Sequence, residues 1–253
     1  MTVQAQECSL EVGSMRLLSE VSVDISAGSV VSMIGANGAG KTSLLRVLCG
    51  EQQPSSGTVS INGSPLSELD LAGRAQKIAV LPQRSGLDFP FLVKEVIAMG
   101  RYPHLTGNLI NEQISQEVIQ RMDLRQYESR KYTTLSGGER QRVQIARILA
   151  QLWDRLEGSV FFFDEPTAPL DLAHQLQFFD TVRFLADRGA AVLLVIHDLN
   201  LASRFSDNLI LLNEGRLVAA GAPDKVLTPE YISEAFNVVV SVYNFEGTVQ
   251  VRY

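Results

Sequence analysis

The apolar run Val30, Val31, Met33 and Ile34 leads directly into Gly35-Ala36-Asn37-Gly38-Ala39-Gly40-Lys41-Thr42, and Lys41 to Leu48 is rich in helix formers. A strand buried on both faces, then a glycine loop, then a helix points to an α/β fold with a mainly parallel sheet. The eight residues match G-x-x-x-x-G-K-[ST], and the strand before and helix after give the match its meaning. Glycines let consecutive backbone N–H groups face one anion, and the helix N-terminus adds partial positive charge. Lys41 is placed to reach the β- and γ-phosphates of a nucleotide, Thr42 to bind Mg²⁺, and Ser43 to continue the cradle. A plain strand-to-helix turn is the competing reading, but it gives no reason for Lys41 and Thr42 to stand in register. The loop alone leaves adenylate-kinase-like enzymes, small GTPases and DNA-repair ATPases open.

A second apolar strand, Val160-Phe161-Phe162-Phe163, ends in Asp164-Glu165. In open α/β sheets ligands bind at the carboxyl ends of strands, so the strand brings both carboxylates to that edge. Asp164 suits a Mg²⁺ partner and Glu165 a base that polarises the attacking water. An acidic cap on the helix starting near Leu172 is the alternative. Pro166 and Thr167 make a loop in between, which weakens it. Further strands are expected over Val21 to Ile25, Thr58 to Ile61, Ile78 to Leu81 and Ala191 to Ile196. A hairpin is expected over Asn208 to Ala220, and a second pairs Val238 to Tyr243 with Thr248 to Tyr253. Between Phe89 and Thr134 the chain turns helical, with candidate helices Val93 to Met99 and Asn111 to Met122. Another helix is expected from Glu139 to Gln151. One domain over residues 1–253 is expected, with a helical subdomain inserted near 86–158 and a short extension over 222–253.

Leu135-Ser136-Gly137-Gly138-Glu139-Arg140-Gln141 opens that last helix. Ser136 and Glu139 have the spacing of a capping box. Two glycines in the first turn are a poor choice for stability alone, at roughly 1 kcal/mol each against Ala in a helix interior. They make sense if backbone N–H groups must approach a phosphate. The run closely resembles the signature of ABC ATPases. The resemblance implies that Ser136, Gly137 and Gly138 meet ATP held by the phosphate loop of a second copy, so that a homodimer traps two nucleotides. It also implies that Gln83, in Leu81-Pro82-Gln83, touches Mg²⁺ and relays the site to a permease. His197, after Val195-Ile196, would hold the γ-phosphate and attacking water. The implied cofactors are ATP and Mg²⁺, with Lys41, Glu165 and His197 catalytic and Thr42, Gln83 and Asp164 on the metal.

This sequence departs from the family pattern twice. Members usually stack adenine on an aromatic residue ahead of the phosphate loop, but Val12 to Leu17 holds none, which leaves Arg16 as a planar substitute. The loop after Glu165 usually reads Ser-Ala-Leu-Asp, whereas here it is Ala168-Pro169-Leu170-Asp171, with one hydroxyl missing and a stiffer backbone.

Bulk properties narrow the class further. A formal net charge of −6 gives no general basic field for nucleic acid, so no nucleic-acid partner is expected. No stretch is apolar enough to span a bilayer and Met1 to Leu10 has no signal-peptide pattern, so a cytosolic protein is expected. Cys8 and Cys49 show no metal spacing. DNA-repair and chromosomal ABC ATPases carry long coiled coils or zinc modules between Gln83 and the signature; only about fifty residues lie here. Ribosome-acting factors carry two cassettes, and this chain has one. By resemblance the chain is a peripheral subunit at the cytoplasmic face of a bacterial inner membrane. It would serve two transmembrane permease subunits and, indirectly, a substrate-binding protein. Gln83 to Tyr102, with apolar Phe89, Pro90 and Phe91, is the expected permease dock. Phe89-Pro90-Phe91 and Gly100-Arg101-Tyr102-Pro103-His104 resemble the iron-siderophore, cobalamin and haem importer cassettes. Ala146 to Trp153 and Asp171 to Gln175 look most like the haem branch. Haem is thus the expected cargo, then ferric siderophore, then cobalamin. No direct haem binding is expected, since His104 and His174 read as loop or helix-surface histidines.

Overall fold

The computed structural model describes residues 2–83 and 86–252. Two long antiparallel strands, β1 (Thr2–Val12) and β2 (Met15–Ser26), precede β3 (Val30–Ile34) and α1 (Lys41–Leu48). Next come β4 (Ser56–Ile61), β5 (Ser64–Pro65), α2 (Leu71–Ala75) and β6 (Ile78–Leu81). A helical stretch follows: α3 (Val93–Ala98), α4 (Asn108–Arg121) and α5 (Gly137–Leu152). The chain then returns to the sheet through β7 (Val160–Asp164), α6 (Leu172–Asp187), β8 (Ala191–Val195), α7 (Leu199–Phe205), β9 (Asn208–Asn213) and β10 (Arg216–Gly221). It finishes with α8 (Pro223–Val226), α9 (Pro229–Phe236), β11 (Ser241–Phe245) and β12 (Thr248–Arg252).

The central sheet has six strands in the order β10-β9-β3-β8-β7-β6, parallel except for β10. A four-stranded antiparallel sheet, β2-β1-β4-β5, covers part of it, and β11–β12 is a separate hairpin. This is the α/β cassette architecture expected from the motifs, with parallel core, antiparallel part and helical region. Alternation along β7 shows how the layers hold. Phe161 and Phe163 enter the cluster beneath α5 and α6, while Val160 and Phe162 enter the one shared with α1 and the antiparallel sheet. All three phenylalanines are fully buried. Truncating one to Ala should cost about 3–5 kcal/mol, because the packed layers cannot collapse into the hole.

Several strands and helices lie where the sequence pattern gave no warning. β1 was not expected, for a definite reason. Val3, Ala5, Cys8 and Leu10 are its buried apolar residues, and the register against β2 shifts between Ala5 and Cys8. Glu7 adopts a positive φ of 49° within that irregularity. The bulge inserts an extra residue and flips the phase of the alternation, so no simple period-2 pattern survives. Helices α7 and α9 are short, capped by Asp198 and Thr228. The terminal hairpin forms, but it starts at Ser241 rather than Val238, and Tyr253 lies outside the described residues.

Candidate nucleotide site

The phosphate loop connects β3 to α1, and its glycines have steric reasons to be there. At Gly35 φ is +149°, and a Cβ would strike the carbonyl of Leu212 on β9. Lys41, at the first turn of α1, is 7% exposed; its Nζ donates to the carbonyls of Gly35 (2.7 Å) and Ala36 (2.9 Å). Burial pulls its pKa down, and the charges of Glu165 and Asp164 act in the opposite direction. The ammonium is thus held over the loop by carbonyls that an anion's oxygens can displace.

A cleft of about 460 Å³ opens beside this loop. Asn37, Gly38, Gly40, Lys41, Thr42 and Ser43 form its floor, with Gln83 and Glu165 at one side. Arg16, Leu17 and the Glu214–Gly215 turn between β9 and β10 also line it. Gly35, Ala36 and Ala39 do not. Ala39 is buried, and its N–H donates to the Ala36 carbonyl at 3.1 Å, so it shapes the loop from behind.

Asp164 stands at the end of β7, 3% exposed. Its Oδ2 accepts from the Thr42 hydroxyl at 3.4 Å, while Oδ1 is buried without a hydrogen-bond partner among the described residues. Burial raises its pKa, and the neighbouring Glu165 charge adds to the rise. A buried carboxylate oxygen without a partner is costly unless something meets it, and a hydroxyl beside it completes a hard oxygen pair. Glu165 takes a positive φ of 52°, uncommon for a residue with a side chain, which swings its carboxylate toward the cleft. Its Oε1 lies 2.6 Å from His197 Nε2. Burial pushes the Glu165 pKa up, but hydrogen bonds from His197 and Gln83 outweigh it and leave the carboxyl below its ordinary value. Glu165 is therefore an anion at neutral pH, oriented by an imidazole.

Ser136, Gly137 and Gly138 lie elsewhere, at the N-terminus of α5, and do not line the cleft. Ser136 Oγ accepts from Glu139 N at 3.3 Å and Glu139 Oε2 accepts from Ser136 N at 2.7 Å, closing the capping box. Both Ser136 and Gly137 are exposed, and a Cβ on Gly137 would meet open space. Gly138 is different: a Cβ there would sit 2.9 Å from the Pro169 carbonyl. The helix is also tied to the loop after Glu165, since Gln141 Nε2 donates to the Pro166 carbonyl at 2.9 Å. The stiff Ala168-Pro169 loop thus rests on the signature helix of its own chain.

The two histidines expected at the surface separate. His104 is 5% exposed, with Nε2 2.6 Å from the Gln151 carbonyl, so the loop-surface reading is corrected. Together with Arg101, which donates to the Ala150 carbonyl at 2.8 Å and Asp154 at 2.7 Å, it closes the C-terminal end of α5. Cations and N–H donors belong at such an end, where helix carbonyls lack partners. His174 sits near the start of α6, its Nδ1 2.8 Å from Asp171 Oδ1. The residues that sequence reasoning missed are Leu17, Glu214 and Gly215. An Asn-Glu-Gly turn signals a hairpin but says nothing of which cleft it will border.

Known proteins are similar to this chain in sequence and in fold. The family profile described as ABC transporter matches residues 18–168. The hemin import ATP-binding protein HmuV of Pseudomonas entomophila (strain L48) is 45% identical over 233 residues, covering 92% of this chain and 91% of the relative. A protein of the same name from Gloeobacter violaceus is 46% identical over 224 residues, covering 87% and 82%. Among solved structures, a dimeric ATP-binding cassette in a post-hydrolysis state with ADP and Pi superposes with a TM-score of 0.75 at 26% identity, covering 87% of this chain and 98% of that one. The chain belongs to the ABC transporter family, as one of its ATP-hydrolysing cassettes.

Proposed function

We propose that this chain is the ATP-hydrolysing subunit of a bacterial importer that moves haem through a separate membrane permease. The observation that carries the hydrolytic part is that Lys41, Thr42 and Glu165 line one cleft, with Asp164 bonded to Thr42 and His197 to Glu165. The cargo rests on relatives named for hemin import that match over almost the whole chain. Lys41 binds the β- and γ-phosphates, exchanging its loop carbonyls for phosphate oxygens. Thr42, Asp164 and Gln83 would hold Mg²⁺, which when bound would neutralise charge on the phosphates. Glu165, ionised and aimed by His197, orients water for attack and accepts its proton. Ser136, Gly137 and Gly138 present N–H groups to the nucleotide of a second copy, so the working unit is a dimer.

Arg16 is the base platform in this reading. The phosphates occupy the loop, so the base falls on the wall made by Arg16, Leu17 and the Glu214–Gly215 turn. There Arg16 Nε donates to Glu11 Oε1 at 3.1 Å, which holds the flat guanidinium in place. A planar guanidinium can stack on a ring as an aromatic side chain does.

The permease dock is assigned to Gln83 through Tyr102, of which residues 84 and 85 lie outside the described ones. Phe89 is 68% exposed and Phe91 38%, their ring centroids 6.1 Å apart. That is an apolar pair at the surface, a few residues along the chain from Gln83. No described helix is long and apolar enough to cross a membrane, so a separate permease must supply the path. The chain would sit at the cytoplasmic face of the inner membrane. Haem itself does not touch it: His104 is buried against α5 and His174 is engaged by Asp171. Reconstitution with the native permease and binding protein tests the proposal. ATP-dependent uptake of haem is expected; uptake of ferric siderophore or cobalamin without haem would overturn the cargo.

A further inference from the structure

The C-terminal extension is fastened to two segments that lead into the nucleotide site, and each polar attachment is made by one asparagine carboxamide. The first is Asn200, three residues beyond His197. Asn200 Nδ2 donates to the Val251 carbonyl at 3.1 Å, and Asn200 Oδ1 accepts from the Val251 N–H at 2.8 Å. The side chain behaves as a one-residue strand partner on the edge of β12 that β11 leaves open. Beneath it the contact is apolar. Leu199 and Ala202 of α7 share a cluster with Val249 and Val251 of β12. Helix α7 is capped by Asp198, whose Oδ1 accepts from the N–H groups of Asn200 (2.8 Å) and Leu201 (3.0 Å). His197 is therefore fixed from one side by the end of β8 and from the other by a helix that is itself fastened to β12.

The second attachment is Asn213, at the end of β9. Its Nδ2 donates to the carbonyl of Glu234, near the C-terminus of α9, at 3.2 Å. Carbonyls in the last turn of a helix have no partner within it, so this bond supplies one. Asn213 immediately precedes Glu214 and Gly215, the turn that lines the cleft together with Arg16 and Leu17.

From these contacts we infer that residues 222–252 brace the nucleotide site. Asn200 is a positioning residue for His197, and Asn213 is a positioning residue for the base-side wall. Neither touches nucleotide. The two act on different steps because they hold different segments of the site, one leading from His197 and the other into the Glu214–Gly215 turn: the first governs hydrolysis of bound ATP, the second governs how well ATP is held. The inference rests on the assignment of His197 to hydrolysis.

The test uses the full chain with Asn200→Ala, Asn200→Gln, Asn213→Ala and His197→Ala, comparing kcat and KM for ATP. Asn200→Ala should lower kcat about tenfold with KM within about twofold, the scale of losing two ordinary hydrogen bonds. Asn200→Gln keeps the carboxamide and should recover part of the loss. Asn213→Ala should raise KM about threefold with little change in kcat, the scale of one weak surface bond. Unchanged kcat in Asn200→Ala, or a fall in kcat with unchanged KM in Asn213→Ala, would overturn the brace. If Asn200→Ala does not fold, Asn213→Ala decides: a KM-selective rise supports the brace and no change overturns it. His197→Ala separates the two levels. If it hydrolyses ATP at the parent rate, the site assignment itself fails; if it is inactive while both asparagine variants behave as parent, only the brace fails.

Discussion

The phosphate-loop region and the signature region differ in how much of their own chemistry they contain. Around Lys41 the principal groups find counterparts within the chain: loop carbonyls for the ammonium, Thr42 for one oxygen of Asp164, and His197 for Glu165. Around Ser136 the capping box is closed, yet Gly137 faces open space and the signature residues do not line the nucleotide cleft. A helix N-terminus with glycines in its first turn, held rigidly but facing outward, is half of an anion site. The other half is a nucleotide bound elsewhere. On the proposed reading, hydrolysis is assembled between chains, while the groups that bind nucleotide gather within one.

The largest expected effect breaks the complete region. Glu165→Gln removes the charge that polarises water and keeps the side chain's shape. Hydrolysis should fall about a thousandfold, within the range of losing a general base, while MgATP binding persists. Size-exclusion chromatography with ATP should then show a stable dimer; a monomer with normal turnover would contradict the assignment. Gly138→Asp sharpens the contrast from the other side. The new side chain meets the Pro169 carbonyl and places a negative charge where a phosphate should arrive. Hydrolysis should fall about a hundredfold, on the scale of losing oriented anion-binding donors, with ATP affinity of the isolated chain unchanged in equilibrium titration. The smallest effect belongs to Arg16→Ala. Loss of a guanidinium platform should raise KM about fivefold, equivalent to about 1 kcal/mol, whereas Arg16→Tyr should restore it.

How much of this was readable in advance follows from sequence separation. Gly35 to Thr42, Asp164-Glu165 and Ser136 to Gly138 are runs of adjacent residues whose chemistry is set locally by strand, loop and helix. They are legible for that reason. The base-side wall is not, because Arg16 and Gly215 meet only through the packing of β2 against the β9–β10 hairpin, some two hundred residues apart. His104 was misplaced because its neighbours Pro103 and Leu105 describe a loop, while its partner, the Gln151 carbonyl, lies at the far end of α5. β1 escaped because a bulge at Glu7 shifts the phase of its buried residues. Local chemistry was plain; contacts between distant segments needed the fold.

The division between a complete half and an open half can be tested in one mixing experiment. Lys41→Ala chains keep a sound signature but cannot hold ATP, and Gly138→Asp chains hold ATP but present a damaged signature. Each alone should be inactive. Mixed in equal amounts, random pairing places one intact phosphate loop against one intact signature in half the dimers, so activity should return to at most about a quarter of the parent's. Recovery on mixing is the result this account predicts. A mixture as inactive as its components, or a Gly138→Asp chain that hydrolyses ATP normally by itself, would contradict it.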